Sequence, residues 1–278
     1  MLRRFITLLL IFIGQILLAQ QITCSPKDKA AVENKLLEID GMYQDNFGET
    51  MVNKTFMKTP YVAKTLEIGD TETLVVNLQG LDCTTFVENV LAFSKLLRKE
   101  DDSFEAFVKN LEVVRYKDGE LDGYASRLHY FSEWIANNAE KGLLKDITGE
   151  IGGAEITKDI NFMSTHRDLY PFLSDDVNYG KIKASENYLN SQAICVLAQD
   201  KIAENEHLIQ SGDIIALATS IIGLDVTHTG IATREKDGRI HLLHASTGSM
   251  EVEVSKLPLA DYLKGIKSNT GIMVARPL

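Results

Sequence analysis

The chain is short of proline, cysteine and positive charge. Five prolines in 278 residues exclude a collagen-like or proline-rich protein, and three cysteines are too few for a disulfide scaffold. Beyond the N-terminal segment no apolar run approaches the roughly 20 residues that a spanning helix needs, which excludes a multi-pass membrane protein. Lys and Arg number 29 against 39 Asp and Glu, a net charge of −10. A surface of that sign repels nucleic-acid phosphate and anionic lipid heads, so nucleic acid is not an expected partner. No Pro/Gly/Ser linker and no internal repeat divides the chain. What is present, 45% apolar and 24% charged residues, is the composition of a globular protein.

Arg3 and Arg4 precede an uncharged run from Phe5 to Leu18, and Ala19-Gln20-Gln21 follows as a small-then-polar boundary. This predicts a signal peptide over residues 1–20 and export to the periplasm. The remainder, 21–278, suffices for one core with an elaboration, and a single domain is expected. Cys24 sits just past the boundary, where a lipid-modified cysteine would sit, although Gln21-Ile22-Thr23 lacks the small residues such sites favour. Three cysteines in an exported chain cannot all pair internally, so at least one thiol is free or lost to processing.

Apolar residues at helical spacing predict a helix over Ala30 to Tyr43. A second helix is expected after Leu81, with Asp82 or Thr85 as its cap and Thr85-x-x-Glu88 as a capping box. Phe86, Val90, Phe93 and Leu97 form its apolar stripe. Cys83 then lies within a turn of the helix N-terminus, where free N–H groups and the positive dipole end favour a thiolate. Its polar neighbours Asp82, Thr84 and Thr85 argue against a purely space-filling role. Cys195, flanked by Ala193, Ile194, Val196 and Leu197, reads as core.

Residues 104–205 read as a mixed insertion: a helix from Phe104 to Leu111, a short strand from Val113 to Tyr116, a turn at Lys117-Asp118-Gly119, and a helix near Ala125 to Asn138. Leu128, Phe131, Trp134 and Ile135 make the buried face of that last helix. Arg127, His129 and Tyr130 fall on its other side, and Ser164 to Pro171 packs more polar and aromatic groups together. Arg127 and Arg167 are candidates to pair peptide or sugar carboxylates, and Tyr130 to cover a sugar ring. Beyond residue 205 the pattern turns to strands near 214–217, 226–233, 239–244, 250–254 and 271–276, with a helix at 259–263. The fold class is α+β.

Hairpin geometry selects among the histidines. A three-residue loop Lys236-Asp237-Gly238, with Gly in the left-handed position, sets Glu235 opposite Arg239. His228 and His244 then point to the same side of the sheet, and His241 to the other. A cysteine at a helix N-terminus facing two histidines suits a thiolate nucleophile, a general base and a group that orients the base.

At these residues the chain resembles the NlpC-type papain-like cell-wall cysteine peptidases. Asp82-Cys83-Thr84-Thr85-Phe86 is similar to their Asp-Cys-Ser-Gly-Phe nucleophile motif, and Gly212-Asp213-Ile214-Ile215 to their Gly-Asp-Leu-Val strand entry. His228-Thr229-Gly230-Ile231-Ala232 resembles the strand carrying the base, and Leu243-His244-Ala245-Ser246 the strand carrying the third polar residue. Leu81 to Leu91, Asp122 to Tyr130 and Asn161 to Arg167 resemble the N-acetylmuramoyl-L-alanine amidase-like branch. The resemblance implies a papain-like core, catalytic residues Cys83, His228 and His244, and substrate contacts from Asp82 and Thr84 beside the nucleophile. It also implies an amidase acting on soluble muropeptides with a 1,6-anhydro-muramyl end, without a cofactor or obligate protein partner. The alternatives are a γ-D-glutamyl-diamino acid endopeptidase, a non-catalytic wall-binding module, and a zinc site formed by the same Cys and two His.

Overall fold

A computed structural model describes residues 22–44, 49–97 and 102–278. The expected signal segment lies outside the described residues. The elements are β1 (Ile22–Cys24), α1 (Pro26–Gln44), β2 (Leu74–Val76), α2 (Cys83–Ser94), α3 (Phe104–Arg115), α4 (Phe131–Glu140), β3 (Leu144–Asp146), β4 (Ala154–Ile156), α5 (Phe162–Thr165), α6 (Asp176–Asn190), β5 (Ile194–Ala198), α7 (Ile202–Asn205), β6 (Ile214–Thr219), β7 (Val226–Arg234), β8 (Ile240–Ser246), β9 (Glu251–Val254), α8 (Leu259–Lys264) and β10 (Asn269–Pro277). Among the described residues no helix is long and apolar enough to cross a membrane.

The main sheet runs β4-β5-β10-β6-β7-β8-β9, with β3 also on β10, and its pairs are antiparallel. Strand alternation sends Ile214, Ala216, Ile231, Leu243 and Ala245 to one face, where they join Phe86, Val87 and Val90 of α2. Ile215, Leu217, Ala232 and Leu242 go to the other, against Leu259 and Leu263 of α8. Helices thus cover both faces, and a fully buried Leu, Ile, Val or Phe side chain contributes about 1.5–3 kcal/mol.

Residues 104–205 are woven into this architecture. α3 packs in the main core beside α2, and β3, β4 and β5 extend the sheet, while Tyr124, Tyr130, Ile160, Met163, Leu173, Ile182 and Leu189 form a smaller core of their own. The strand expected over 113–116 is instead the end of α3, because Phe107, Leu111 and Val114 continue one buried helical stripe. The expected 125–138 helix starts only at Phe131. A 3-10 turn, Tyr124–Ser126, precedes it, and the first turn of α4 is capped from far away in sequence by Asp225. Cys195 is partly buried on β5, lining a cavity of about 620 Å³, and is not the core residue its neighbours suggested.

The capping box of α2 begins three residues before the one read from sequence. Asp82 is the N-cap: its carboxylate accepts the Thr85 N–H at 2.8 Å, and Thr85 Oγ1 accepts the Asp82 N–H at 2.9 Å. Glu88 is freed from capping and turns inward, where it takes a 2.7 Å hydrogen bond from Arg115 Nε, both side chains about 98% or more buried. Arg115 also donates to the Val75 carbonyl at 2.7 Å, so this pair bolts α2 to α3 and β2. Replacing one partner strands the other charge in a dry interior. Glu88→Ala is therefore expected to lower unfolding free energy by about 3–5 kcal/mol, read as a shifted urea midpoint at an unchanged slope.

Candidate active site

The β7–β8 register follows the three-residue loop. Ile231 faces Leu243, Ala232 faces Leu242, Thr233 faces His241 and Arg234 faces Ile240, and Gly238 holds φ at +78°. This register sets His228 and His244 on one side, with His228 Nε2 and His244 Nδ1 2.6 Å apart and the rings nearly perpendicular at 4.9 Å between centroids. His241 turns to the other side, between the Ser255 carbonyl and Asp237. Between the two site histidines lies Gly230, where a Cβ would stand 2.7 Å from the Leu243 carbonyl and 3.0 Å from His244 Cβ. Only glycine lets the two strands seat the imidazole pair this closely.

Cys83 is the first residue of α2 and is partly exposed. Thr229, the residue after His228, and Thr84 are the polar groups that act on its thiol. Thr229 is buried, and its Oγ1 has no hydrogen-bond partner among the described residues. No described residue bonds His228 Nδ1, and no thiol–imidazole hydrogen bond is formed. The α2 N-terminus and the start of β7 nevertheless bring Cys83 towards the residue that follows His228, and apo separations of this kind can tighten on substrate binding.

Burial pushes the Cys83 thiol up from its ordinary value, and the Asp82 carboxylate adds to the rise, while the polar groups of Thr229 and Thr84 oppose it. Desolvation thus works against the thiolate that the helix terminus favours. Burial and the neighbouring His244 lower His228 to about 3. Burial likewise lowers His244 to about 4, against the pull of Glu253. Burial therefore favours the neutral forms of the thiol and of both imidazoles. In the tautomer where His228 Nε2–H donates to His244 Nδ1, the Nδ1 of His228 is a bare acceptor on the backbone side of the ring.

These directions fix a pH profile. Any activity that requires neutral imidazole should hold from about pH 8 down to about pH 5, well below the ordinary histidine midpoint of about 6.5, and an acid limb at 6.5 in kcat/KM would contradict the burial. Stability moves differently. The folded imidazoles titrate below the unfolded ones, so below about pH 6.5 the unfolded chain binds more protons and folding stability falls. Urea midpoints at pH 7.5 and 5 read that decline.

The structure gives each expected substrate-contact residue a definite place. Asp82 caps α2, and Thr84 stands beside the thiol. Arg127 is buried and ion-paired with Glu67 and Glu72. The Tyr130 hydroxyl is buried, bonding Glu186 at 2.7 Å and accepting the Met163 N–H at 2.9 Å. Arg167 bonds Asp176 at 2.6 Å and the Leu173 and Ser174 carbonyls, and lies over the Tyr179 ring. Of the two upstream side chains considered as oxyanion donors, Tyr61 lies near Cys83 and Asp82, which together with burial raise its phenol. Asn77 instead accepts the Gln79 and Gly80 N–H groups in the turn before α2.

Sequence reasoning missed Asp225. Its buried carboxylate accepts the Ser132 N–H and hydroxyl, each at 2.7 Å, tying the start of β7 to the N-terminus of α4 three residues before the base. No local motif marks it, because its partner is 93 residues away. As for zinc, two nitrogens that share one tetrahedral ion at about 2.0–2.1 Å stand about 3.3 Å apart. The 2.6 Å between the imidazoles is a hydrogen bond, and this pairing suits a base and its orienting partner.

Comparison with known proteins places the chain in a family. Residues 51–272 match the AmiA-like family model, described as N-acetylmuramoyl-L-alanine amidase-like. The crystal structure of an N-acetylmuramoyl-L-alanine amidase from Bacteroides uniformis is 40% identical and has a TM-score of 0.78, with 83% of this chain and 97% of that chain covered. A proposed xylanase from Bacteroides fragilis is 43% identical with a TM-score of 0.77, covering 81% of this chain and 98% of its own. A Legionella pneumophila protein at 22% identity and a TM-score of 0.64, over 90% and 97% of the two chains, shares the fold. No curated protein matches the chain. With four-fifths of its length aligned to an amidase at 40% identity and most of it matched by the family model, the chain belongs to the N-acetylmuramoyl-L-alanine amidase-like family, a hydrolase family of peptidoglycan chemistry.

Proposed function

We propose that the protein is an exported cysteine amidase that cleaves the bond between N-acetylmuramic acid and L-Ala in soluble muropeptides, with 1,6-anhydro-muramyl ends as its substrates, in cell-wall turnover or recycling. The observation that carries the reading is the hydrogen-bonded His228–His244 pair, with Thr229, the residue after His228, acting on the Cys83 thiol at the N-terminus of α2. Cys83 Sγ attacks the lactyl carbonyl while His228 Nδ1 takes the thiol proton. The Cys83 N–H at the helix terminus and the Tyr61 hydroxyl stabilise the oxyanion. Collapse of the tetrahedral intermediate breaks the C–N bond, His228 returns its proton to the leaving L-Ala amine, and a thioester remains on Cys83. Water activated by His228 then releases the sugar acid. A thiol, two imidazoles and a phenol suit acyl transfer, whereas glycoside hydrolysis, the activity suggested for the Bacteroides fragilis neighbour, calls for two carboxyl groups flanking the bond.

The insertion supports a free-ended substrate. Residues 124–189 build a small core of their own beside the sheet, and Asp225 joins that region to the base strand. Such a wall fits a short fragment better than cross-linked wall. The test is incubation with a defined anhydro-muropeptide and with insoluble sacculi, with products identified by mass. A free peptide beginning with L-Ala and little release from sacculi is expected. L-Ala-D-Glu left on the sugar would establish the endopeptidase instead, and efficient solubilisation of sacculi would overturn the closed-wall argument.

A further inference from the structure

Resting on the cysteine-amidase reading, we infer that Glu253 is a fourth member of the site, a positioning residue that acts through His244 to hold positive charge on the imidazole pair. The β8–β9 register sets Glu253 directly opposite His244. Directly opposed residues share a face, with Cβ atoms about 4.5–5.5 Å apart, so the carboxylate stands beside the ring whose Nδ1 bonds His228. Among the described residues Glu253 forms no ion pair: the nearby Lys58 makes its salt bridge with Glu251, two residues along β9, and is largely exposed. The other groups facing His244 are His228 from β7 and the Tyr262 ring from α8, edge-on at 5.6 Å. Among the described residues Glu253 is the one carboxylate that raises the His244 imidazole against its burial.

The chemistry gives such a charge a task. When the Cys83 proton moves to His228 Nδ1, the Sγ–C bond forms and the Nε2–H stays shared with His244 Nδ1. The two rings then carry one positive charge in a desolvated place, with the developing negative charge leaving Sγ for the oxyanion. Glu253 comes from β9, on the opposite edge of β8 from β7, and compensates the pair without competing for the thiol proton. It favours the His244 tautomer with hydrogen on Nε2, which keeps Nδ1 an acceptor and His228 Nδ1 bare. The signal is invisible to motif reading because it depends on the register of a third strand.

Two readouts test this. On anhydro-muropeptide, Glu253→Gln is expected to lower kcat about tenfold with KM within about twofold, the equivalent of about one unit lost from the pair's proton affinity, and Glu253→Asp should recover most of the rate. The second readout needs no substrate: iodoacetamide labelling of Cys83, followed peptide by peptide to separate it from Cys24 and Cys195. In Glu253→Gln the rate at pH 7, where the thiolate exists only with imidazolium, should fall about tenfold, and near pH 10, where thiolate forms without it, the variant and parent should converge. Equal labelling at pH 7, or a deficit that persists unchanged at pH 10, overturns the assignment, the latter showing a structural role. Because labelling is independent of the scissile bond, failure of the muropeptide assay alone would count against the substrate and not against Glu253.

Discussion

Cys83→Ala is expected to reduce kcat/KM on anhydro-muropeptide by about 10⁴-fold or more, about 5.5 kcal/mol of transition-state stabilisation. The side chain is partly exposed at the first turn of α2, and its cap is formed by Asp82 and Thr85. Removing Sγ therefore leaves the capping hydrogen bonds and the helix in place, and unfolding midpoints should move little. Covalent catalysis explains why the loss is so large: without the nucleophile the lactyl amide must be attacked by water directly, and the histidine pair has no thiol proton to take. Cys195→Ala is the control. It sits on β5 beside Gly153, and its removal should leave turnover within about twofold. A Cys83→Ala enzyme with substantial activity would remove the basis of the acyl-enzyme.

The second large effect is graded across three histidines. His228→Ala removes the group that accepts and returns the proton and should cost about 10³-fold in kcat, within the range of general acid–base catalysis. His244→Ala leaves the base in place but deprives its Nε2 of the 2.6 Å partner that fixes the tautomer, so a loss of about 30–100-fold is expected, smaller because orientation is worth less than transfer. His241→Ala removes a buried ring bonded to the Ser255 carbonyl. It should cost about 1 kcal/mol of stability while kcat stays within about twofold. Equal losses at His241 and His244 would show that the face assignment does not govern the chemistry.

The parts of the site legible in the sequence were those fixed by short-range rules. Cys83 was found because capping residues announce a helix start within four positions, and the histidine pair because the length of one loop fixes the register of two adjacent strands. The α+β class and the strands β6 to β10 were legible for the same reason. What was illegible depends on distant partners. Arg127, Tyr130 and Arg167 looked like free polar groups, yet Arg127 meets Glu67 and Glu72, Tyr130 meets Glu186, and Arg167 meets Asp176 and two carbonyls. Glu88 looked like a capping residue and is half of a buried ion pair. The burial that opposes a thiolate at Cys83 was illegible too, because the helix terminus is visible in sequence and desolvation is not.

The most direct test of the central claim is rapid quenching of the enzyme with an anhydro-muropeptide, followed by mass analysis of the intact protein and its peptides. The account predicts a transient thioester on the peptide that contains Cys83, with a mass increment equal to the sugar acyl group alone and with free L-Ala-led peptide released in the same burst. An increment that includes L-Ala-D-Glu would place the cleavage at the γ-glutamyl bond. Product formation with no adduct on Cys83 at any quench time would contradict the covalent mechanism.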